Sequence, residues 1–230
     1  MTLLTPAEIE ALVLSLKISS VAVVCSLPFA IAAAYLLARG RFPAKTIVDV
    51  ILHLPLILPP VVMGYLLLVT FGTKGPLGAW LLELFDVRLI FTWQGAALAA
   101  GIVTFPFQMR TIRLALEAID NGLVVAAETL GAGPLDRFFT IILPLALPGI
   151  IAGAITAFAA SLGEFGAIIT FVSNIPGETR TIPLAIYTAI QTPGGEAAAA
   201  RLVVLAIILA LCGLFLSELA ARRLKAMIEG

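Results

Sequence analysis

"AAETLGAGPLDRFFTIILP", Ala126 to Pro144, sets a glycine-punctuated, partly charged segment between two stretches apolar enough to belong in lipid. Just before it, Asn121 can cap a helix through Gly122–Leu130. Gly131 suits the left-handed position that ends such a helix, and Pro134 can open a second one through Leu135–Ile142. The predicted product is a tight two-helix elbow. Spacing alone leaves two readings open: a loop folded against its own bundle, or a surface shaped for a partner.

The surroundings of the elbow are those of a membrane protein. Of 230 residues, 61% are hydrophobic and 12% charged, and the mean hydropathy is +1.11. Soluble domains run near half apolar and about a quarter charged. The formal net charge is zero and no block of Lys or Arg stands out, so a nucleic-acid footprint is not expected. Cys25 and Cys212 fall inside apolar runs, where small buried hydrophobes are expected rather than a disulfide or metal ligands. No basic residue precedes Lys17, whereas Glu8 and Glu10 do. The first apolar run is therefore expected to remain as a span instead of serving as a cleaved signal peptide.

A spanning helix needs about 20 mostly apolar residues, and five stretches qualify: about Leu12 to Ala38, Ile47 to Phe71, Phe91 to Met109, Leu145 to Val172 and Leu202 to Ala221. Arg39, Arg41, Lys45, Arg110, Arg113, Arg137, Arg222, Arg223 and Lys225 fall on one side of these spans. Lys17, Lys74, Arg88, Arg180 and Arg201 fall on or near the other. The positive-inside rule then puts the N-terminus outside and the C-terminus in the cytoplasm, with the elbow cytoplasmic. Trp80 and Trp93 flank the predicted outer loop as interfacial anchors.

Two spans carry breakers. Pro55, Pro59 and Pro60 should kink or break the second, freeing carbonyls that need partners. The fourth would be about 42 Å long as one helix at 1.5 Å per residue, beyond a hydrocarbon core of about 30 Å. It must tilt, break or emerge early. "SLGEFGA" (Ser161–Ala167) supplies the break, because Gly163 and Gly166 bracket Glu164. That carboxylate either serves function inside the membrane or sits near the outer interface, paired with Arg180 or met by water. Two other functional classes fit poorly. An intramembrane enzyme would have to join His53, the single histidine, to Ser161 across most of the membrane. An ion-coupled carrier would show internal repeats and several buried ionisable groups.

The elbow resembles the cytoplasmic coupling loop of ABC-importer permeases, whose pattern is Glu-Ala-Ala, three residues, Gly, nine residues, Ile, one residue, Leu-Pro. Ala126, Ala127, Gly131, Ile141, Leu143 and Pro144 match it, and Val125 stands where the glutamate would be. "LHLPLILPPVVMGYLLL" (Leu52–Leu68), "LGAGPLDRFFTIILPLALPGI" (Leu130–Ile150) and the segment Ser161–Glu196 extend the resemblance to the molybdate-importer permeases over nearly the whole chain. Sulfate and thiosulfate permeases are similar in fold and loop.

The resemblance implies an all-α polytopic membrane bundle forming one permease domain over residues 1–230, with its coupling loop at about 121–144. It implies a homodimer in the bacterial inner membrane, two ABC ATPase subunits and a periplasmic molybdate-binding protein. Sulfate, thiosulfate and tungstate remain alternative cargoes. The chain carries no G-x-x-x-x-G-K-[ST] loop, and neither catalysis nor a cofactor is expected of it. An oxyanion crossing the membrane calls for hydroxyls and N–H donors along its path. Thr156, Ser161 and Thr170 are the candidates, with Glu164 expected to tie segments together because a carboxylate repels a dianion.

Overall fold

The computed structural model describes residues 4–229. Helices and no strands occur among them. α1 (Pro6–Arg39) starts on a capping box: the Thr5 hydroxyl accepts the Glu8 N–H at 3.4 Å and the Glu8 carboxylate accepts the Thr5 N–H at 2.6 Å. Its 34 residues make a rod of about 51 Å, so features at its two ends lie a membrane apart. α2 (Lys45–Ile57) and α3 (Pro60–Phe71) meet at a bend of 111°. Pro59 holds extended backbone there and Pro60 opens α3 without needing an N–H. α4 (Pro76–Phe85), a short apolar helix, fills part of what the sequence suggests is a plain outer loop.

α5 (Trp93–Glu117) is the centre of the molecule. Ala96, Ala99, Ala100, Gln108, Met109 and Ile112 are fully buried. Small residues let α1 close on it: a β-carbon on Gly101 would lie 3.3 Å from the Ala22 carbonyl. Such close approach supplies packing where lipid removes the hydrophobic drive between helices. α6 (Asn121–Thr129) and α7 (Pro134–Arg137) follow. A π-helical turn (Phe138–Ile142) leads into α8 (Leu143–Leu162), and α9 (Gly166–Val172), α10 (Ile182–Ile190) and α11 (Glu196–Glu229) complete the chain.

Two apolar clusters stack along α1. One joins Leu14, Ile18 and Ala22 to α3, α5 and α9; the other joins Ala30, Ala34 and Leu37 to the far half of α5 and the start of α8. Between them Gln108 donates to the Val23 carbonyl at 3.3 Å and accepts from the Ser26 hydroxyl at 3.2 Å. This buried polar seam fixes the register of α1 on α5.

The five expected spans all correspond to helical segments, with different detail. α1, the continuous rod Pro134–Leu162 and the start of α11 are each long and apolar enough to cross a membrane, and the bent α2–α3 pair passes the same test together. α5 has the length, but Gln94, Gln108 and Arg110 lower its apolarity. The burial expected for the cysteines is wrong: Cys25 and Cys212 are exposed free thiols, since an apolar run that faces outward buries nothing until lipid or protein covers it. Among the described residues no group of His, Cys, Asp and Glu could hold a metal ion. The side chains of Arg222, Arg223 and Lys225 lie outside the described ones.

Candidate functional site

The elbow begins at Asp120, whose carboxylate accepts the Gly122 N–H at 2.8 Å. The cap expected of Asn121 therefore belongs to its neighbour. Asn121 instead accepts a hydrogen bond from Arg39 at the end of α1, and Arg39 also donates to the carbonyls of Leu116 and Ile119 at 3.1 and 3.3 Å. One guanidinium thus joins the end of α1, the end of α5 and the first turn of the elbow.

α6 ends on Gly131 at φ +88°. The Ala132 N–H donates to Ala127 O and the Gly131 N–H to Glu128 O, both at 3.0 Å, the paired bonds of a Schellman closure. A β-carbon on Gly131 would meet nothing within 4 Å. Glycine is needed there for the sign of φ, not for space. Pro134 opens α7 as expected, and Arg137 donates to Glu128 at 2.6 Å, tying the two arms together. Tyr35 of α1 meets Phe138 edge-on at 5.2 Å.

The second arm does not end at Ile142, contrary to expectation. α7, the π turn and α8 form one rod from Pro134 to Leu162, and the Leu143 N–H reaches back to Phe138 O to close the π turn. Of the six residues singled out in sequence, Ala126, Gly131 and Pro144 are exposed and Ala127, Ile141 and Leu143 half-buried. Ile141, Leu143 and Pro144 line the π turn and the first turn of α8. Around them large apolar side chains face outward: Leu130 is 88% and Leu135 74% exposed, and Leu123, Val125 and Phe139 are also exposed.

At the opposite end of α1 the two broken spans meet. A β-carbon on Gly166 would lie 2.7 Å from Pro60 Cβ, and one on Gly64 would lie 2.6 Å from Thr170 Cβ, so the start of α9 rests on the start of α3. Glu164 lies in the gap between α8 and α9, buried, and its carboxylate accepts the Ala167 N–H at 2.8 Å. It caps the resumed helix. Glu164 and Arg180 form no ion pair among the described residues; the Arg180 guanidinium donates to Asn174 at 2.9 Å. The candidate hydroxyls do not share a face. Thr156 is exposed and bonded to its own helix at Ala152 O, Thr170 is bonded to Gly166 O, and Ser161 is buried with no partner for its Oγ. His53 lies 2.8 Å from Asp49 O on its own helix.

The segment Ser173–Thr181 forms a polar knot beside them. Fully buried Thr179 donates to Ser173 O at 2.8 Å and accepts the Ile175 N–H at 2.9 Å. Asn174 bonds Thr188 at 2.8 Å, and the Ile182 N–H donates to Ser15 of α1 at 2.8 Å. Arg201 of α11 pairs with Glu8 at 2.8 Å.

Neither Arg39 nor the knot is a site candidate in the sequence, where Arg39 belongs to the basic side and the knot to the resembling segment Ser161–Glu196. Arg39 sits in a recognisable basic cluster, but its partner Asn121 lies 82 residues away, and no local pattern reports that pairing.

Comparison with known proteins places this geometry. Residues 26–226 match the family described as binding-protein-dependent transport system inner membrane component. The chain is 60% identical to the molybdenum transport system permease protein ModB of Escherichia coli (strain K12), over 96% of each chain. It is 38% identical to ModB of Azotobacter vinelandii over 82% of this chain and 83% of that one. The sulfate transport system permease protein CysT of Escherichia coli (strain K12) is 36% identical over 81% of this chain and 67% of the other. In fold, a chain of the bacterial alginate ABC transporter in complex with its alginate-loaded periplasmic protein superposes with a TM-score of 0.73 at 20% identity, covering 95% of this chain and 80% of that one. A chain of the MetNI methionine ABC transporter gives 0.67 at 18%, covering 95% and 94%. With the family model matched over residues 26–226 and the Escherichia coli ModB matched over nearly its whole length, the chain belongs to the binding-protein-dependent transport system inner membrane components, the permeases of ABC importers.

Proposed function

We infer that this permease imports molybdate, delivered by a binding protein on one side of the membrane and driven by ATP hydrolysis in a separate subunit on the other. The identity of 60% to a molybdenum permease over 96% of both chains carries the cargo assignment. The sulfate permease, at 36% over two thirds of its own length, supports the alternative cargo less well. The chain is not itself the catalyst.

The elbow is the coupling surface in this reading. A closed two-arm hairpin with Leu130 and Leu135 largely exposed suits insertion into a groove on an ATPase. Its second arm is continuous with α8, so displacement of Ala126, Ala127, Gly131, Ile141, Leu143 and Pro144 moves a whole membrane rod as a rigid body. One elbow per chain and two ATPases make the working unit a homodimer. The clustering of Arg39, Arg113 and Arg137 at the elbow end supports a cytoplasmic elbow and an external N-terminus. Ser161, with its uncommitted hydroxyl, is the best path residue. Thr156 and Thr170 serve less directly because their hydroxyls are spent on their own helices, and Glu164 shapes the gap without touching the anion.

The test is the ATPase activity of the complex assembled with its own binding protein and offered molybdate, tungstate or sulfate in turn. Stimulation by molybdate at the lowest concentration is expected. Stimulation by sulfate alone reassigns the cargo, and a permease that copurifies with no ATPase ends the reading.

A further inference from the structure

A cavity of about 170 Å³ lies at the base of the elbow, lined by Tyr35, Arg39, Val124, Pro134, Arg137 and Ile142. Two guanidiniums line it, one from α1 and one from α7. Each keeps a buried Nε with no hydrogen-bond partner, and these are two of only five buried side-chain polar atoms in that condition among the described residues. Arg137 meets Glu128, whose side chain is 62% exposed. Arg39 pairs with no carboxylate among the described residues; its other nitrogens donate to an amide oxygen and two carbonyls. The cavity therefore holds two cations against one solvated anion.

We propose that this cavity is a binding site for a small tetrahedral oxyanion of the phosphate type, held between Arg39 and Arg137. The guanidinium stays charged throughout the physiological range and offers a fixed fork of N–H donors matched to the oxygens of such an anion. The volume is below the ~300 Å³ at which pockets for drug-sized ligands begin, which selects an ion over an organic molecule. Water could satisfy the two N–H groups but would leave the Arg39 charge uncompensated. The donors come from α1 and α7, so a bound anion joins the end of α1 to the second arm of the elbow, a link the protein side chains do not make between these two arginines. The oxyanion can be free in solution or be the headgroup phosphate of a membrane lipid, since Arg39 ends a spanning helix.

The experiment uses the full-length permease without its ATPase, so that nucleotide sites contribute nothing, in nanodiscs of phosphatidylcholine and of phosphatidylglycerol. Radiolabelled inorganic phosphate is titrated onto wild type, Arg39→Gln, Arg137→Gln, the exposed control Arg41→Gln and the path control Ser161→Ala. Saturable binding is expected in wild type and both controls, at least tenfold weaker in each cavity variant. Against fold loss in a variant, wild type and both controls, but neither cavity variant, should gain thermal stability with phosphate over chloride at matched ionic strength. If a lipid headgroup is the source, phosphatidylglycerol nanodiscs will suppress phosphate binding, and wild type will retain more lipid phosphorus through delipidation than Arg39→Gln. Equal affinity in all five proteins overturns the site. So does a wild type that neither binds phosphate nor retains lipid in excess of Arg39→Gln.

Discussion

The two ends of α1 handle polar and apolar groups in opposite ways. At the knot, Asn174, Thr179, Arg180 and Ser15 spend their hydrogen bonds on one another and on backbone, and Thr179 is wholly buried. At the elbow, short helices leave Leu130 and Leu135 facing outward, and the arms are held by one ion pair and one Schellman closure. An end whose polar groups, the Thr181 hydroxyl apart, are bonded within the protein is a fixed platform. An end with uncovered apolar side chains suits the partner surface proposed above, and its stability alone says little about its purpose.

The largest effect should come from making the elbow polar. Leu130→Glu with Leu135→Glu removes two exposed apolar anchors and should weaken association with the ATPase at least thirtyfold, since central interface anchors are worth about 2 kcal/mol or more each. Membrane abundance should stay near wild type because neither side chain packs in the bundle. Copurification at undiminished yield would mean that the contact lies elsewhere.

Next comes Glu164. Replacement by Leu leaves the buried Ala167 N–H unpaired, a cost of about 1–3 kcal/mol, while Gln keeps an acceptor. Thermal unfolding in detergent should rank wild type above Glu164→Gln above Glu164→Leu, and transport should follow the same order. Equal and complete loss of transport in both variants, with stability intact, would make the charge itself the requirement. In the knot, Thr179→Val removes a donor and an acceptor at once and should cost about 1–3 kcal/mol on the same grounds. Unlike the elbow double variant, it should leave ATPase binding untouched, so a Thr179→Val protein that lost the ATPase would erase the contrast between the two ends.

Orientation can be checked by thiol labelling in a background lacking Cys25 and Cys212, both exposed and so liable to react. Exposed Glu178 in the knot and Thr129 in the elbow suit single cysteines better than nearby glycines such as Gly177, whose φ is +77°. Glu178→Cys should react with an impermeant external reagent and Thr129→Cys should not. The reverse pattern inverts the topology.

What the sequence made legible was local. Proline and glycine announce a break wherever they stand, so both interruptions, at Pro59–Pro60 and at Gly163–Gly166, could be read directly, as could the Gly131 closure and the Pro134 start. What escaped depended on distant partners. Nothing in either span says that Pro60 rests against Gly166, or that Arg39 reaches Asn121. The continuity of α7 with α8 was hidden because a π turn accommodates an extra residue without a signature residue of its own. The cysteines were misjudged because apolarity in a membrane chain does not distinguish a face turned to the core from one turned to lipid.

The smallest structural effect, and the most telling one for the elbow, is expected at Gly131. Its φ of +88° puts a residue with a side chain in a left-handed conformation that costs roughly 1–2 kcal/mol. An added β-carbon would touch nothing within 4 Å, so no steric term joins that strain, although branching makes valine worse than alanine there. Gly131→Asn, which tolerates this region best after glycine, should be nearly silent. Gly131→Val should insert at normal abundance, because the packed bundle does not feel the elbow tip. The strain can relax only by turning the Schellman closure, which reorients Leu130 relative to Leu135 across the hairpin. In the proposed coupling both side chains fit one partner groove, so transport and substrate-stimulated ATP hydrolysis should fall together in Gly131→Val and return in Gly131→Asn. If Val transported at the wild-type rate, the angle between the two arms would not matter to coupling. If it failed to accumulate, the glycine would serve folding, and the elbow would resemble the knot after all.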